Sequence, residues 1–181
     1  AVDLTKSRPV GMQMRTWVEV DLGTVRRNAV AMTSRLQGAA MIAVVKADGY
    51  GHGAEAIVAG LVGIADAFAV AGPAEAEAIL PHAGGAPVMC LYPLVGDDVR
   101  HAVSLGIGVT SSGNSDVTAA EAAAREIGTV ARVHVKLDTG MHRHGMTEAD
   151  AARAVAQCRD SSALELGAVW THLACADDPA D

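Results

Sequence analysis

From Trp17 onward, short and mainly apolar runs alternate with longer stretches of helical period. Runs at residues 41–45, 67–70, 87–91, 107–110, 130–136 and 164–172 predict six strands, and residues 17–21 predict a shorter one ahead of them. Asp21 is placed to cap a following helix, in which Val25, Ala29, Met32 and Leu36 share one face and which Gly38 would end. Further helices are expected at residues 54–61, 73–80, 95–105, 114–127 and 147–159, with Asn114 or Ser115 capping the fourth. Apolar strands need cover on both faces, and helices between consecutive strands supply it for a parallel sheet.

A doubly wound open sheet and a (β/α)8 TIM-type barrel both satisfy this alternation. No Gly-x-Gly-x-x-Gly follows the first strand, which counts against a dinucleotide-binding open sheet. The residues able to carry chemistry are Lys46, Lys136 with Asp138, and His172, each at the C-terminal end of a different strand, as a barrel site requires. The expectation is an α/β barrel of which about six of the eight βα units lie in this chain. Six parallel strands alone would leave two unpaired edges. Either the remainder lies in the missing part of a longer chain, or a second polypeptide supplies it, or the sheet is not a barrel. Residues 1–15 lack periodicity and are expected to be an irregular tail, with residues 16–181 forming the barrel portion.

Composition narrows the class. Half the residues are hydrophobic, yet only one Phe, two Trp and two Tyr occur, so Ala, Val, Leu, Ile and Met must build the core rather than the aromatics of a β-sandwich. The net charge of −7, with no basic cluster, argues against nucleic-acid binding. No apolar run reaches the ~18 residues of a membrane helix, and no signal-peptide pattern opens the chain. Cys90, Cys158 and Cys175 show no metal-type pairing, which fits a reducing cytoplasm.

Two segments hold the candidate chemistry. Residues 43–54 read Ala-Val-Val-Lys-Ala-Asp-Gly-Tyr-Gly-His-Gly-Ala, placing Lys46 at the end of an apolar strand, before Gly49, Gly51 and Gly53. An amine that is poorly solvated there can act as a nucleophile or form an imine; the alternative is a solvated strand end. Tyr50 and His52 put polar groups on the same loop. Residues 133–145 again end a strand in charge, with Lys136, Asp138 and Arg143 before Gly145. Two cations converging on one site repel unless an anion lies between them. Alternatively, Lys136 pairs with Asp138 and Arg143 is a solvated loop cation. His134, His142 and His144 lie close in sequence, but no third type of ligand accompanies them in a metal-site pattern, and no metal is expected.

The string Lys-Ala-Asp-Gly-Tyr-Gly-His-Gly closely resembles the cofactor-lysine segment of alanine racemases, and Lys-Leu-Asp-Thr-Gly-Met-His-Arg-His-Gly resembles a second stretch of that family. The resemblance implies pyridoxal 5′-phosphate (PLP) held as an imine on Lys46, with Tyr50 reaching the phosphate. It implies that Arg143 contacts the cofactor phenolic oxygen and the substrate carboxylate. Lys136 becomes a candidate for carbamylation, which would turn it into an anion beside Arg143. His172 resembles the histidine beside the cofactor ring.

The activity implied is interconversion of L- and D-alanine, supplying D-alanine for peptidoglycan, by a cytoplasmic homodimer. Racemisation needs a proton-transfer group on each face of the substrate. Lys46 serves one; in the family the other is a tyrosine from the C-terminal β-domain of the partner subunit, and no such segment occurs here. A non-catalytic PLP-binding barrel, or a racemase or decarboxylase of the same fold acting on another amino acid, are the alternatives.

Overall fold

A computed structural model describes residues 18–177. The expected tail at residues 1–15 lies outside them. The element order is α1 (Leu22–Thr33), β1 (Ile42–Val44), α2 (Lys46–Gly51), α3 (Ala54–Leu61), β2 (Ala67–Val70), α4 (Pro73–Ile79), β3 (Val88–Pro93), α5 (Asp97–Ser104), β4 (Gly108–Ser111), α6 (Asn114–Ile127), β5 (Ala131–Leu137), α7 (Glu148–Asp160) and β6 (Leu164–Thr171). All six strands are parallel and stand side by side in chain order, β1 to β6. An open doubly wound sheet reverses its strand order part-way. The order here never reverses, so the sheet is an arc of a barrel-like wall.

Local chemistry sets the element ends. Asp21 caps α1 by accepting from Thr24 N at 3.0 Å, and Thr147 caps α7 by accepting from Asp150 N at 3.2 Å. Residues 18–21 are not a strand, contrary to the sequence expectation, because no neighbouring strand pairs with them and they lead straight into the Asp21 cap. Trp17 lies outside the described residues. α1 stops at Thr33, short of Gly38, which takes a positive φ in a later turn. Neither Asn114 nor Ser115 caps α6; Gly113 holds that position, and the Asp116 carboxylate reaches back to Ser112 N at 2.8 Å.

The core lies between the sheet and its outer helices. Phe68, Val70, Cys90, Val133 and Val135 point outward from the strands and are fully buried against a helix layer rich in alanine. The opposite, concave face carries Ile42, Val44, Ala69, Met89, His134, Lys136 and Trp170. No helix among the described residues is long and apolar enough to cross a membrane.

Candidate functional site

The C-terminal ends of the strands open onto one cavity of about 310 Å³ on the concave face. Lys46, Tyr50, Tyr92, Lys136, Arg143 and His172 all line it, and none of its lining residues is an acid. The chain has only three lysines, and two of them meet here.

Lys46 arrives there through an unusual turn. Ala47, Asp48, Gly49 and Tyr50 all adopt left-handed backbone angles, with φ between 53° and 63°. Three of these four residues carry a Cβ, and the left-handed helix costs such residues roughly 1–2 kcal/mol each. The surroundings hold the turn closed. Glu75 at the start of α4 accepts from Ala47 N at 3.0 Å and from Ala71 N at 2.9 Å, tying the Lys46 turn to the end of β2. Asp48 accepts from Ala54 N at 2.7 Å, and Gly49 N donates to Val45 O at 2.8 Å. The turn brings Lys46 and Tyr50 to the same cavity, with Tyr50 largely exposed. His52 instead faces its own loop, its Nδ1 lying 2.9 Å from Gly49 O, and does not line the cavity.

Tyr92 approaches Lys46 from across the sheet. The register between β3 and β4 shifts between Met89 and Pro93, and the consecutive residues Leu91 and Tyr92 both border the cavity. Tyr92 Oη lies 2.6 Å from Lys46 Nζ, and the amine lies 4.9 Å from the ring centre. This hydrogen bond raises the lysine pKa above its ordinary value, against burial and the positive charge of Arg143. The same bond lowers the Tyr92 pKa. Sequence reasoning assigned Tyr92 nothing, since a strand irregularity leaves no sequence signal. Glu75 and Asp48 were also missed, and only an acid in a first helical turn marked the former.

The second segment folds back on itself. Met146 N donates to Lys136 O at 2.9 Å and Asp138 N to Met146 O at 3.1 Å, closing residues 138–145 into a loop over the end of β5. Gly145 permits this: its φ is +131°, and a Cβ there would lie 2.6 Å from Asp138 N. Lys136 is almost fully buried; its Nζ donates to His144 O at 2.6 Å and sits 5.1 Å from the Trp170 ring centre. Burial first, then Arg143, lowers its pKa. It has no ion pair with Asp138, whose carboxylate accepts from Gly140 N and His142 N, both at 3.0 Å, and faces His142 Nδ1 at 3.2 Å. Lys136 and Arg143 thus share the cavity as two cations, with the Asp138 charge acting on Lys136 through space rather than in an ion pair. The other reading of this segment, a Lys136–Asp138 pair, gives way because backbone amides take that carboxylate.

The histidines do not converge. His134 lies on the barrel-facing side of β5, His142 pairs with Asp138, and the His144 ring packs edge-on to Tyr92 at 6.0 Å. Among the described residues no group of three His, Cys, Asp or Glu could hold a metal ion.

Residues 20–181 match the family described as "Alanine racemase, N-terminal domain". The chain belongs to the alanine racemase family. It is 37% identical over 175 residues to an alanine racemase of Frankia casuarinae, an alignment covering 94% of this chain and 46% of that protein. The solved alanine racemase of Streptomyces coelicolor A3(2) superposes with a TM-score of 0.83 at 36% identity, over 90% of this chain and 45% of that one. An alanine racemase of Clostridium difficile 630 gives the same TM-score at 28% identity, over 92% and 45% respectively. The chain thus spans less than half the length of these relatives, and the arc of six strands is the N-terminal part of their TIM-barrel-like fold.

Proposed function

We propose that this chain forms the lysine side of a PLP-dependent alanine racemase, interconverting L- and D-alanine and so supplying D-alanine for peptidoglycan. The observation that carries the reading is the lining of the cavity: a primary amine, two further cations and two phenols, with no carboxylate. Such a lining suits a phosphorylated, phenolate-bearing aldehyde, and it leaves Trp170 Nε1 and His134 Nδ1 as buried polar atoms without a protein partner. Bound there, the cofactor would supply an electron sink that acidifies the α-proton of an amino acid.

In this reading Lys46 Nζ holds the cofactor and, once displaced by substrate, moves a proton on one face. Arg143 orients the phenolic oxygen and the substrate carboxylate, Tyr50 reaches the phosphate, and His172 lies beside the ring. Lys136, buried and with a lowered pKa, is suited to attack carbon dioxide through its free amine, losing a proton and becoming an anionic carbamate. That anion would compensate Arg143. The proton-transfer group on the opposite face comes from the C-terminal β-domain of a partner subunit in a cytoplasmic homodimer.

Adding PLP, recording absorbance, reducing with borohydride and mapping peptides tests the reading. A band near ~420 nm, with reduction fixing the cofactor on Lys46, is expected. No band, or label on Lys6 or Lys136 instead, overturns it.

A further inference from the structure

Tyr92 has no part in the racemase reading, yet its hydroxyl makes the closest polar contact to the amine on which that reading turns. The phenol is held firmly. Its ring packs edge-on to His144, whose carbonyl oxygen is fixed by Lys136 Nζ, and β3 carries it into the cavity through the register shift beside Pro93. The groups acting on Lys46 are Tyr92 and Tyr50, which favour its charge, and Arg143, which opposes it; Glu75 acts on Tyr92. No acid lines the cavity, so no carboxylate there can take a hydrogen bond from a protonated Lys46. The Tyr92 oxygen, at 2.6 Å, can.

We propose that Tyr92 is a positioning residue for Lys46: its phenol oxygen accepts a hydrogen bond from the protonated ε-amine and holds the lysine in its proton-carrying form. The proposal rests on the assignment of Lys46 as the proton-moving amine. When Lys46 takes a proton, the C–H bond of the substrate breaks, its electron pair stays on the substrate carbon, and an N–H bond forms. The ammonium so made then meets an acceptor already in place. After that step the carbon is reprotonated from the opposite face by the second group. In the opposite direction of the reaction a protonated Lys46 gives its proton to carbon, and the neutral amine left behind keeps its position by accepting from the Tyr92 hydroxyl. A merely structural role for Tyr92, as a wall of the cavity, requires the ring but not the oxygen.

Trace acetylation with acetic anhydride across a pH series, read by mass on the Lys46 peptide, distinguishes the two. It is done on the full protein without added cofactor, with the Lys6 peptide as internal standard and urea-unfolded protein as reference. The wild-type midpoint is expected above the unfolded reference. In Tyr92→Phe it is expected below that reference, since burial and Arg143 remain while the acceptor is gone. Unfolding of the variant cannot produce that result, because an unfolded chain returns the reference value. Tyr92→Leu, which also removes the ring, is expected to give the same downward shift. A Tyr92→Phe midpoint still above the reference overturns the proposal. The outcome is separable from the borohydride experiment: trapping on Lys46 with no midpoint shift removes Tyr92 alone, and a shift without trapping removes the cofactor assignment.

Discussion

On the outer face of the sheet, Phe68, Val70, Cys90, Val133 and Val135 have no measurable exposure, whereas on the concave face Ile42 and Val44 keep 46% and 42% of theirs. The same strands supply both faces through the alternation of side chains along each strand. Apolar closure against helices gives the outer face most of its stabilisation. The concave face instead gathers cations and phenols, including a lysine almost wholly removed from water. Division of labour between the faces implies that changes outside should cost folding, and changes inside should cost chemistry. Four sets of measurements test how strict that division is.

The largest effect is expected at Phe68, the one phenylalanine of the chain and the largest fully buried side chain among the described residues. Phe68→Ala should lower stability by about 3–5 kcal/mol in urea unfolding. Borohydride trapping on Lys46 should persist wherever the variant remains folded, because Phe68 points away from the cavity. Loss of trapping in a folded variant would break the comparison at once.

The concave face is not uniformly open, and Gly108 shows where it is packed. A Cβ on Gly108 would lie 2.7 Å from His134 Cδ2, and one on Gly167 would lie 2.6 Å from His134 Cε1, so the imidazole occupies space that two glycines leave. Gly108→Ala is expected to cost about 1–3 kcal/mol through overpacking. The cost should fall towards zero in a His134→Ala background, as a double-mutant cycle would reveal. An unchanged cost in that background would place the strain in the strand itself rather than in the imidazole.

The two faces were also unequally legible. The six paired strands could be read because an apolar run between helices has few other uses, and Asp21 could be read as a cap because its donor lies three residues on, whereas Thr147 reads as part of the helix it caps. Residues 18–21 misled because a strand-like run without a pairing neighbour has nowhere to place its backbone hydrogen bonds. The concave face depends on contacts between residues far apart in sequence. Lys46 and Tyr92 meet across 46 positions, and the Glu75 clamp on Ala47 spans 28. The glycines of the Lys46 loop suggested that glycine would bear the turn. Gly49, Gly51 and Gly53 do take positive φ, but Ala47, Asp48 and Tyr50 take it as well, and only the packed structure accounts for their strain.

Lys136 sharpens the comparison through pH. Its folded pKa is lowered from 10.5, so between the lowered value and 10.5 the unfolded chain binds more protons than the folded one. Stability then rises with pH across that window, and the penalty for burying the charge is fully present below it. In carbon-dioxide-free buffer, wild-type stability should gain on Lys136→Met as pH climbs through the window, with a constant difference at lower pH. A flat difference throughout would mean that the Lys136 pKa is the same in the folded and unfolded chains, so that burial does not penalise its charge.

Glu121 is the counterpart in the helix layer, and its effect is expected to be the smallest because the side chain keeps some contact with solvent. Its carboxylate accepts from Ser161 Oγ at 2.7 Å, Gln157 Nε2 at 2.9 Å and Arg125 Nη2 at 2.6 Å, joining α6 to the end of α7. These bonds, led by Ser161, lower its pKa from 4.5 to about 2. A depressed carboxylate stabilises the fold above its unfolded value and loses that contribution as pH falls through the window from 4.5 towards 2. Glu121→Gln should therefore be less stable than wild type at neutral pH and converge with it by the bottom of that window, as urea midpoints at stepped pH would record. The ionised group on the outer side then adds to stability where the buried cation on the inner side subtracts from it. If the two curves stay parallel in acid, the Glu121 bonds are no stronger in the folded protein than its hydration in the unfolded chain, and the helix layer owes its stability to apolar packing alone.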